Sequence, residues 1–352
     1  MNSSQEKSLI QAAYGHTTSR TPIWFLRQAG RYLPEYQEIR AQMSFLELCR
    51  DPQKAAEVTL QPLLRFDLDA AIIFSDILIP PTVMGQDLTF DKGHGPRLAP
   101  PIRSAEDVKN LKIGDIPEEL SYVGQAIKET KKGLKPHQTM IGFAGAPFTV
   151  ASYMIEGAGS KNYTHVKEMM FGQPKAFSQL LDQLVATTIE YLEMQISFGA
   201  ETVMLFDSWA GNLSDADYRQ WIVPTISKLA KQITSVPVIY YPGQHHIDAL
   251  EGLEGVDVVA IDWRYNLPNA VETLKNQKLD VSIQGNLDPQ VLMASESVIQ
   301  EKVRAILQQG ENARGHIFNV GHGLLPHIPP QGLKTAIAEI RKWDQEKYKQ
   351  LK

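Results

Sequence analysis

The sequence is poor in cysteine: its 352 residues include one, Cys49. A lone thiol excludes an intramolecular disulfide and any zinc site built from several thiolates. A free cysteine is by default a small buried apolar residue. No stretch approaches the ~18 consecutive apolar residues of a membrane span. Met1 to Lys7 has no basic region leading into an apolar one, so no secretory signal is expected. Basic excess is missing as well, with 35 Lys and Arg against 40 Asp and Glu, a net charge of −5. A nucleic-acid binder would need a broad basic face. Neither nucleic acid nor a membrane is expected as a partner, and the expected location is the cytoplasm. Nucleotide signatures are absent too. Gly142-Phe143-Ala144-Gly145 lacks the third glycine of a dinucleotide turn, and no Gly-Lys-Ser/Thr follows a glycine-rich loop. Chemistry without a cofactor is the simplest expectation.

What is present is apolar and periodic. Hydrophobic residues make up 43% of the chain, enough for a sizeable core, and charged residues 21%. Short apolar runs end in polar or glycine-rich residues and are followed by helical spacing. Eight such strands are predicted: Pro22–Arg27, Ala70–Ser75, Met140–Ala144, Thr202–Phe206, Pro237–Tyr241, Asp257–Asp262, Val281–Gly285 and His316–Val320. Their apolar residues are nearly continuous, as in parallel strands buried on both faces. Phe177, Leu180, Leu181, Leu184, Val185, Thr188, Ile189, Leu192 and Ile196 predict a helix ending near Gly199. Asp51-Pro52 and Asp288-Pro289 read as N-caps followed by proline at the first helical position. A final amphipathic helix is predicted over residues 331–352. Eight alternations favour an α/β fold of one domain, residues 1–352, a (β/α)₈ TIM-type barrel with its cleft at the C-terminal ends of the strands. Thr82 to Arg103 is an insertion after the second strand, with a hairpin pairing Leu88-Thr89-Phe90 and Pro96-Arg97-Leu98, and serves as a rim or lid.

Special residues collect at those strand ends. From Arg20 to Leu33 there are three arginines, Arg20, Arg27 and Arg31, and no acid. A guanidinium fork suits carboxylate or phosphate binding. Directly after an apolar strand, Arg27 favours ligand binding over a surface ion pair with Glu35 or Glu38; for Arg31 the two readings stand level. Asp76 closes the second strand and is either paired with an arginine or poised for chemistry. An ionised carboxylate only accepts hydrogen bonds, so its ligand would carry several N–H donors. Asp207 and Asp262 have the same placement, and capping or ion pairing is the expectation for both. His322 lies between two glycines that let it approach a ligand, yet a lone histidine is by default structural. His245-His246 and the pair His322 and His327 lack a metal-binding arrangement, and His165 with Glu168 forms a helical polar pair.

A family comes into view from these segments. Residues 22–36, Pro22-Ile23-Trp24-Phe25-Leu26-Arg27-Gln28-Ala29-Gly30-Arg31-Tyr32-Leu33-Pro34-Glu35-Tyr36, resemble the N-terminal signature of the uroporphyrinogen decarboxylases. Gly142 to Thr149, through Tyr153 and Gly157, resembles a second signature. Phe74-Ser75-Asp76-Ile77, Phe206-Asp207-Ser208-Trp209, Gln284-Gly285-Asn286-Leu287-Asp288-Pro289 and Asn319-Val320-Gly321-His322-Gly323 agree in order. Leu26, Val150 and the segment His327 to Gln331 depart from the usual pattern. The resemblance implies a (β/α)₈ barrel, usually a homodimer, that needs no cofactor or metal. It further implies removal of carbon dioxide from the four acetates of uroporphyrinogen III to give coproporphyrinogen III. The site it implies comprises Arg27, Gln28, Ala29, Gly30, Arg31, Asp76, Tyr153, Ser208 and His322, with Asp76 and Arg27 catalytic. Arg27 has been placed as proton donor in the family; a guanidinium is a weak acid, and water or a substrate carboxyl is a competing donor. Two rivals stand beside this reading. One is a corrinoid-linked methyltransferase on the same barrel, which the single cysteine disfavours; the other is a non-catalytic tetrapyrrole carrier.

Overall fold

The computed structural model describes residues 7–91, 95–244 and 246–350. Its centre is a curled sheet of seven parallel strands in the order β1-β4-β5-β6-β7-β8-β9. These are β1 Ala70–Ile72, β4 Thr139–Gly145, β5 Thr202–Phe206, β6 Val238–Tyr241, β7 Val258–Ala260, β8 Ser282–Gln284 and β9 His316–Ile317. All residues of β4, β5 and β6 are buried, as the unbroken apolar runs require when helices cover one face and side chains fill the other. Among the interior residues, Trp24 donates its indole N–H to Gln284 Oε1 at 2.9 Å. The predicted N-cap at Asp51 is present, its carboxylate accepting from Gln53 and Lys54 N–H at 3.0 Å each. The long predicted helix runs Pro174–Ser197, and Gly199 follows with φ 114°, a conformation open to glycine.

The structure departs from the expected eight alternations in two places. Pro22–Arg27 is not a strand: Ile23 makes a single parallel bridge to Phe318. The ladder stops because neighbouring amides are taken by side chains, Phe25 N–H by Gln28 Oε1 and Leu26 N–H by Asn319 Oδ1. Between β6 and β7 the described residues contain a 3₁₀ turn, Ile247–Ala249, instead of an α-helix. His246 anchors this connection, with Nδ1 3.0 Å from Asp215 Oδ1, Nε2 2.9 Å from Ala210 O and its ring stacked on Tyr218. It is therefore structural, while His245 lies outside the described residues. The N-cap expected at Asp288 is present as well, its carboxylate accepting from Gln290 N–H at 2.9 Å with Pro289 following, and the segment it opens, Pro289–Met293, is 3₁₀. The last helix covers Pro330–Gln350, and residues 351–352 lie outside the description.

The predicted hairpin is found as β2 Asp87–Asp91 against β3 Gly95–Ala99, with Leu88 opposite Leu98; its turn, 92–94, lies outside the described residues. Its base is tied down, since Leu98 N–H reaches Gly157 O at 2.9 Å and Ile102 N–H reaches Met154 O at 2.9 Å. Among the described residues no helix is long and apolar enough to cross a membrane.

The Ile23 segment lies between the two edges of the sheet. Asp69 N–H donates to Ile23 O at 2.8 Å on one side, and Phe318 N–H to Pro22 O at 2.9 Å on the other. Beneath it, the fully buried Asp69 carboxylate accepts from Ile23 N–H at 2.8 Å and from Arg341 Nη2 at 2.7 Å, and pairs with Arg20 Nη2 at 2.8 Å. Asp344, on the same final helix as Arg341, accepts from Thr21 N–H at 3.0 Å. Arg20, one of the three arginines in the acid-free run, is thus a structural residue. Asp69→Ala removes the buried charge, leaves the Ile23 N–H without its acceptor, and leaves Arg20 and Arg341 sharing the half-exposed Asp67 as their remaining common partner. We expect it to lower unfolding stability by about 3–5 kcal/mol in a denaturant titration; a loss within error would show that the seam closes without it.

Candidate active site

The turn that carries Arg27 is held from several sides. Arg27 has φ 63°, a left-handed conformation costing an L-residue about 1–2 kcal/mol. Gln28, fully buried, offsets that cost, its amide N–H donating to Ala70 O at 2.9 Å while its Oε1 accepts from Phe25. Both ends of the Gln28 side chain are therefore used inside the fold. Asn319 adds a bond to Leu26 N–H at 2.9 Å, and Leu324 N–H reaches Leu26 O at 2.9 Å. Ala29 and Gly30 are half-buried in the loop that follows, where Gly30 O accepts from Leu33 N–H at 3.0 Å.

Arg27 and Arg31 are both exposed, and neither pairs with a carboxylate among the described residues. The acid nearest in sequence, Glu35, is engaged by Arg65 at 2.8 Å. Two guanidiniums are thus left without an acid partner among the described residues, and that of Arg27 acts on Asp76, Tyr153 and His322 at the C-terminal end of the sheet.

Three acids follow strand ends there, and they are treated differently. Asp207 is buried, with Oδ1 accepting from Thr149 Oγ1 at 2.7 Å and Thr149 N–H at 3.2 Å, and Oδ2 from Tyr240 at 3.1 Å. Asp262 is paired with Arg264 and accepts from Tyr241 at 3.3 Å. Among the described residues Asp76 has one hydrogen-bond partner, Leu78 N–H at 2.8 Å on Oδ1, and its second oxygen meets no donor. Burial raises the pKa of Asp76 to about 6, against the opposing pull of the Leu78 N–H and the Arg27 guanidinium. Asp76 is half-buried, and its free oxygen is not sealed within the core. Burial likewise lifts Asp207 to about 6, opposed by the Thr149 and Tyr240 hydroxyls.

Tyr153 projects from the helix Pro147–Glu156, which begins directly after β4 with Pro147 in its first turn. Its ring lies 3.7 Å from that of Trp209. Burial, then the Asp76 charge, push its hydroxyl pKa up, and Arg27 opposes them, so the phenol stays protonated beside both. Ser208 is exposed at the end of β5, next to Trp209. His322 is half-buried; burial and then Arg27 depress its pKa, so it is neutral near pH 7.

The glycines flanking His322 act through close approach. A Cβ on Gly321 would strike the backbone of Trp263, and one on Gly323 would strike the aliphatic stem of Arg27. Gly321 and Gly323 thereby set His322 against both the β7 end and the Arg27 side chain. That contact is invisible in the order of residues, and Arg264, Tyr241 and Thr149 were likewise not singled out as site residues. The motif Asp262-Trp263-Arg264 at a strand end was the available signal for Arg264. Among the described residues no three His, Cys, Asp or Glu side chains gather as a metal site. A separate groove of about 1200 Å³, lined in part by Gln42, Met43, Arg50 and Phe198, contains none of the residues above.

A profile of the family described as uroporphyrinogen decarboxylase (URO-D) matches residues 4–343. The chain belongs to the uroporphyrinogen decarboxylase family. Curated family relatives include the uroporphyrinogen decarboxylase of Syntrophotalea carbinolica, 42% identical over 93% of this chain and 95% of the relative. That of Myxococcus xanthus is 43% identical over 95% of each. Among solved structures, a methyltransferase from Methanosarcina mazei superposes with a TM-score of 0.79, covering 96% of this chain and 98% of its own. At 16% identity it shares the fold alone.

Gly323→Ala should displace the Arg27 stem while leaving the buried core intact. We expect KM for the natural substrate to rise about tenfold with Tm lowered by only a few degrees. An unchanged KM would separate Arg27 from the packing of this turn.

Proposed function

We propose that this chain removes carbon dioxide from the four acetate side chains of uroporphyrinogen III, giving coproporphyrinogen III. It is a carboxy-lyase of porphyrin biosynthesis, as its family and relatives indicate. The same reading takes residues 1–352 as one (β/α)₈ domain, acting as a cytoplasmic homodimer without cofactor or metal. The backbone hydrogen bonds from Pro22, Ile23 and Trp24 to the two sheet edges support a closed barrel, with that segment in the eighth position. The likeness to a methyltransferase is one of fold and does not extend to its chemistry.

The observation that carries this reading is the open oxygen of Asp76 within the field of Arg27, a guanidinium with no carboxylate partner among the described residues. The substrate is a flexible ring with four inward N–H donors and eight peripheral carboxylates. An acceptor-only carboxylate at the centre matches the donors, and arginines at the rim match the carboxylates. Local field decides this match, so a net charge of −5 does not oppose it. Arg27 and Arg31 bind carboxylates; Tyr153, Ser208 and neutral His322 offer hydroxyl and imidazole hydrogen bonds along the cleft. Gln28 contributes by fixing the turn, and Ala29 and Gly30 by presenting it to the ring.

In each cycle a pyrrole takes a proton at a ring carbon and becomes an electron sink. The acetate C–CO₂ bond then breaks, its electron pair flowing into the ring; a proton added at the exocyclic carbon gives the methyl group, and loss of the ring-carbon proton restores the neutral pyrrole. Ionised Asp76 stabilises the cation that develops on the pyrrole system, a preorganised charge in a partly desolvated site.

Ionised Asp76 is the working form, so activity falls as pH drops through about 6. Asp76→Asn keeps size and loses charge; we expect kcat/KM to fall on the order of a hundredfold or more. The acidic limb should disappear from what activity remains, measured anaerobically with uroporphyrinogen III. Near-normal turnover would remove Asp76 from catalysis, and unchanged substrate with the wild-type enzyme would overturn the function. Stability should move the other way. A raised folded-state pKa means that the ionised carboxylate destabilises the fold, a penalty absent at low pH that grows up to about pH 6. The Asn variant should therefore have the higher Tm at pH 7 and lose that advantage near pH 4.

A further inference from the structure

Beyond Arg27 and Arg31, a third arginine stands at the mouth in an unusual arrangement. Asp262, directly after β7, is 1% exposed. Its carboxylate accepts from the backbone N–H of Arg264 at 3.0 Å and from the Tyr241 hydroxyl at 3.3 Å. A single guanidinium nitrogen, Arg264 Nη1, spans both carboxylate oxygens at 2.9 and 3.0 Å. Arginine paired for structural ends commonly meets a carboxylate with two parallel N–H groups. Here Nε and Nη2 have no hydrogen-bond partner among the described residues, and the side chain is 37% exposed. The guanidinium lies over the Trp263 ring, 4.4 Å from its centroid, a cation–π contact that restricts its movement.

This group shares the rim with the residues already described. The Trp263 backbone is the surface against which Gly321 packs, so the turn bearing His322 abuts the Trp263-Arg264 segment. The electrostatic fields overlap as well: His322 is influenced by Arg27, Asp262 and Arg264, and Tyr241 by Asp262, Arg264 and Arg27. We propose that Arg264 is a further substrate-binding residue, which receives a peripheral carboxylate of the porphyrinogen on its Nε and Nη2 edge. This inference rests on the oligocarboxylate reading above. Asp262 is the positioning residue. Clamped from below by the acid and from the side by the indole, the guanidinium loses little rotamer freedom when a carboxylate arrives. A ring with eight carboxylates then meets arginines from two separate strand ends, which orients the macrocycle over Asp76 as well as attracting it.

Loss of Arg264 alone would leave Asp262 buried and unpaired, so the deciding variant removes both charges, Arg264→Gln with Asp262→Asn. Two readouts are taken: steady-state decarboxylation of uroporphyrinogen III, and fluorescence titration with uroporphyrin III, the oxidised and unreactive ring. We expect KM and the porphyrin Kd each to rise about tenfold with kcat within about twofold. Arg264→Lys, which keeps charge and loses the fork, should fall between wild type and the double variant. Wild-type KM and Kd in the double variant would overturn the proposal, because Arg264 would then serve only to neutralise Asp262. A fall in kcat with unchanged KM and Kd would overturn it too. If wild-type enzyme bound uroporphyrin but left uroporphyrinogen unchanged, the decarboxylase reading would fail while the binding role of Arg264 was still decided by the titration.

Discussion

The buried carboxylate of Asp69 joins three parts of the chain that are far apart in sequence. It accepts from Ile23 N–H and faces Arg20 in the N-terminal segment, and it binds Arg341 in the final helix. A buried acid with one cation would cost more in desolvation than it returned. Two cations and an amide make the site self-consistent. The result is that the segment after Thr21 is held in the gap between β1 and β9. Arg27, a few residues on, is thereby delivered to the opposite end of the sheet. Stability and function are segregated along the strand axis, with satisfied ions at the N-terminal end and unsatisfied ones at the C-terminal end.

At that second end the fold tolerates features it avoids elsewhere. Arg27 is held in a left-handed conformation, two guanidiniums lack carboxylate partners, and Asp76 keeps an oxygen free despite burial. Each is unfavourable for the isolated protein and useful to a ligand of opposite polarity. Nearby Asp207 shows the contrast: burial lifts it as far, yet three donors occupy its oxygens and it serves as a strut between β5 and the helix that carries Tyr153. The degree of pKa shift does not separate the functional acid from the structural one. Unused acceptor capacity does.

Much of the architecture was legible in order and spacing. Thr202–Phe206 was placed to the residue, because five apolar residues between Gly199 and Asp207 admit one reading. The hairpin around Leu88 and Leu98 followed from its turn residues. Pro22–Arg27 differs from the strand its apolar run predicts, because side chains of Gln28 and Asn319, unseen in a local pattern, take its amides. The connection after β6 failed for a related reason: His246 and Tyr218 cover the ground that a helix was expected to cover.

The sequence by itself determined the alternation of buried strands and helices, the absence of a multi-thiolate metal site and the family to which the chain belongs. These depend on residue type and short-range order, which sequence records directly. Tertiary structure alone decided which charges are spent. Arg20 and Arg27 lie in the same acid-free stretch, and only the fold shows that the first pairs with Asp67 and Asp69 while the second forms no ion pair among the described residues. Asp76, Asp207 and Asp262 share one local signature, and only their partners tell them apart. Pairing energy depends on distance and burial across the sheet, over separations of tens to hundreds of residues, and that information appears when the chain closes on itself.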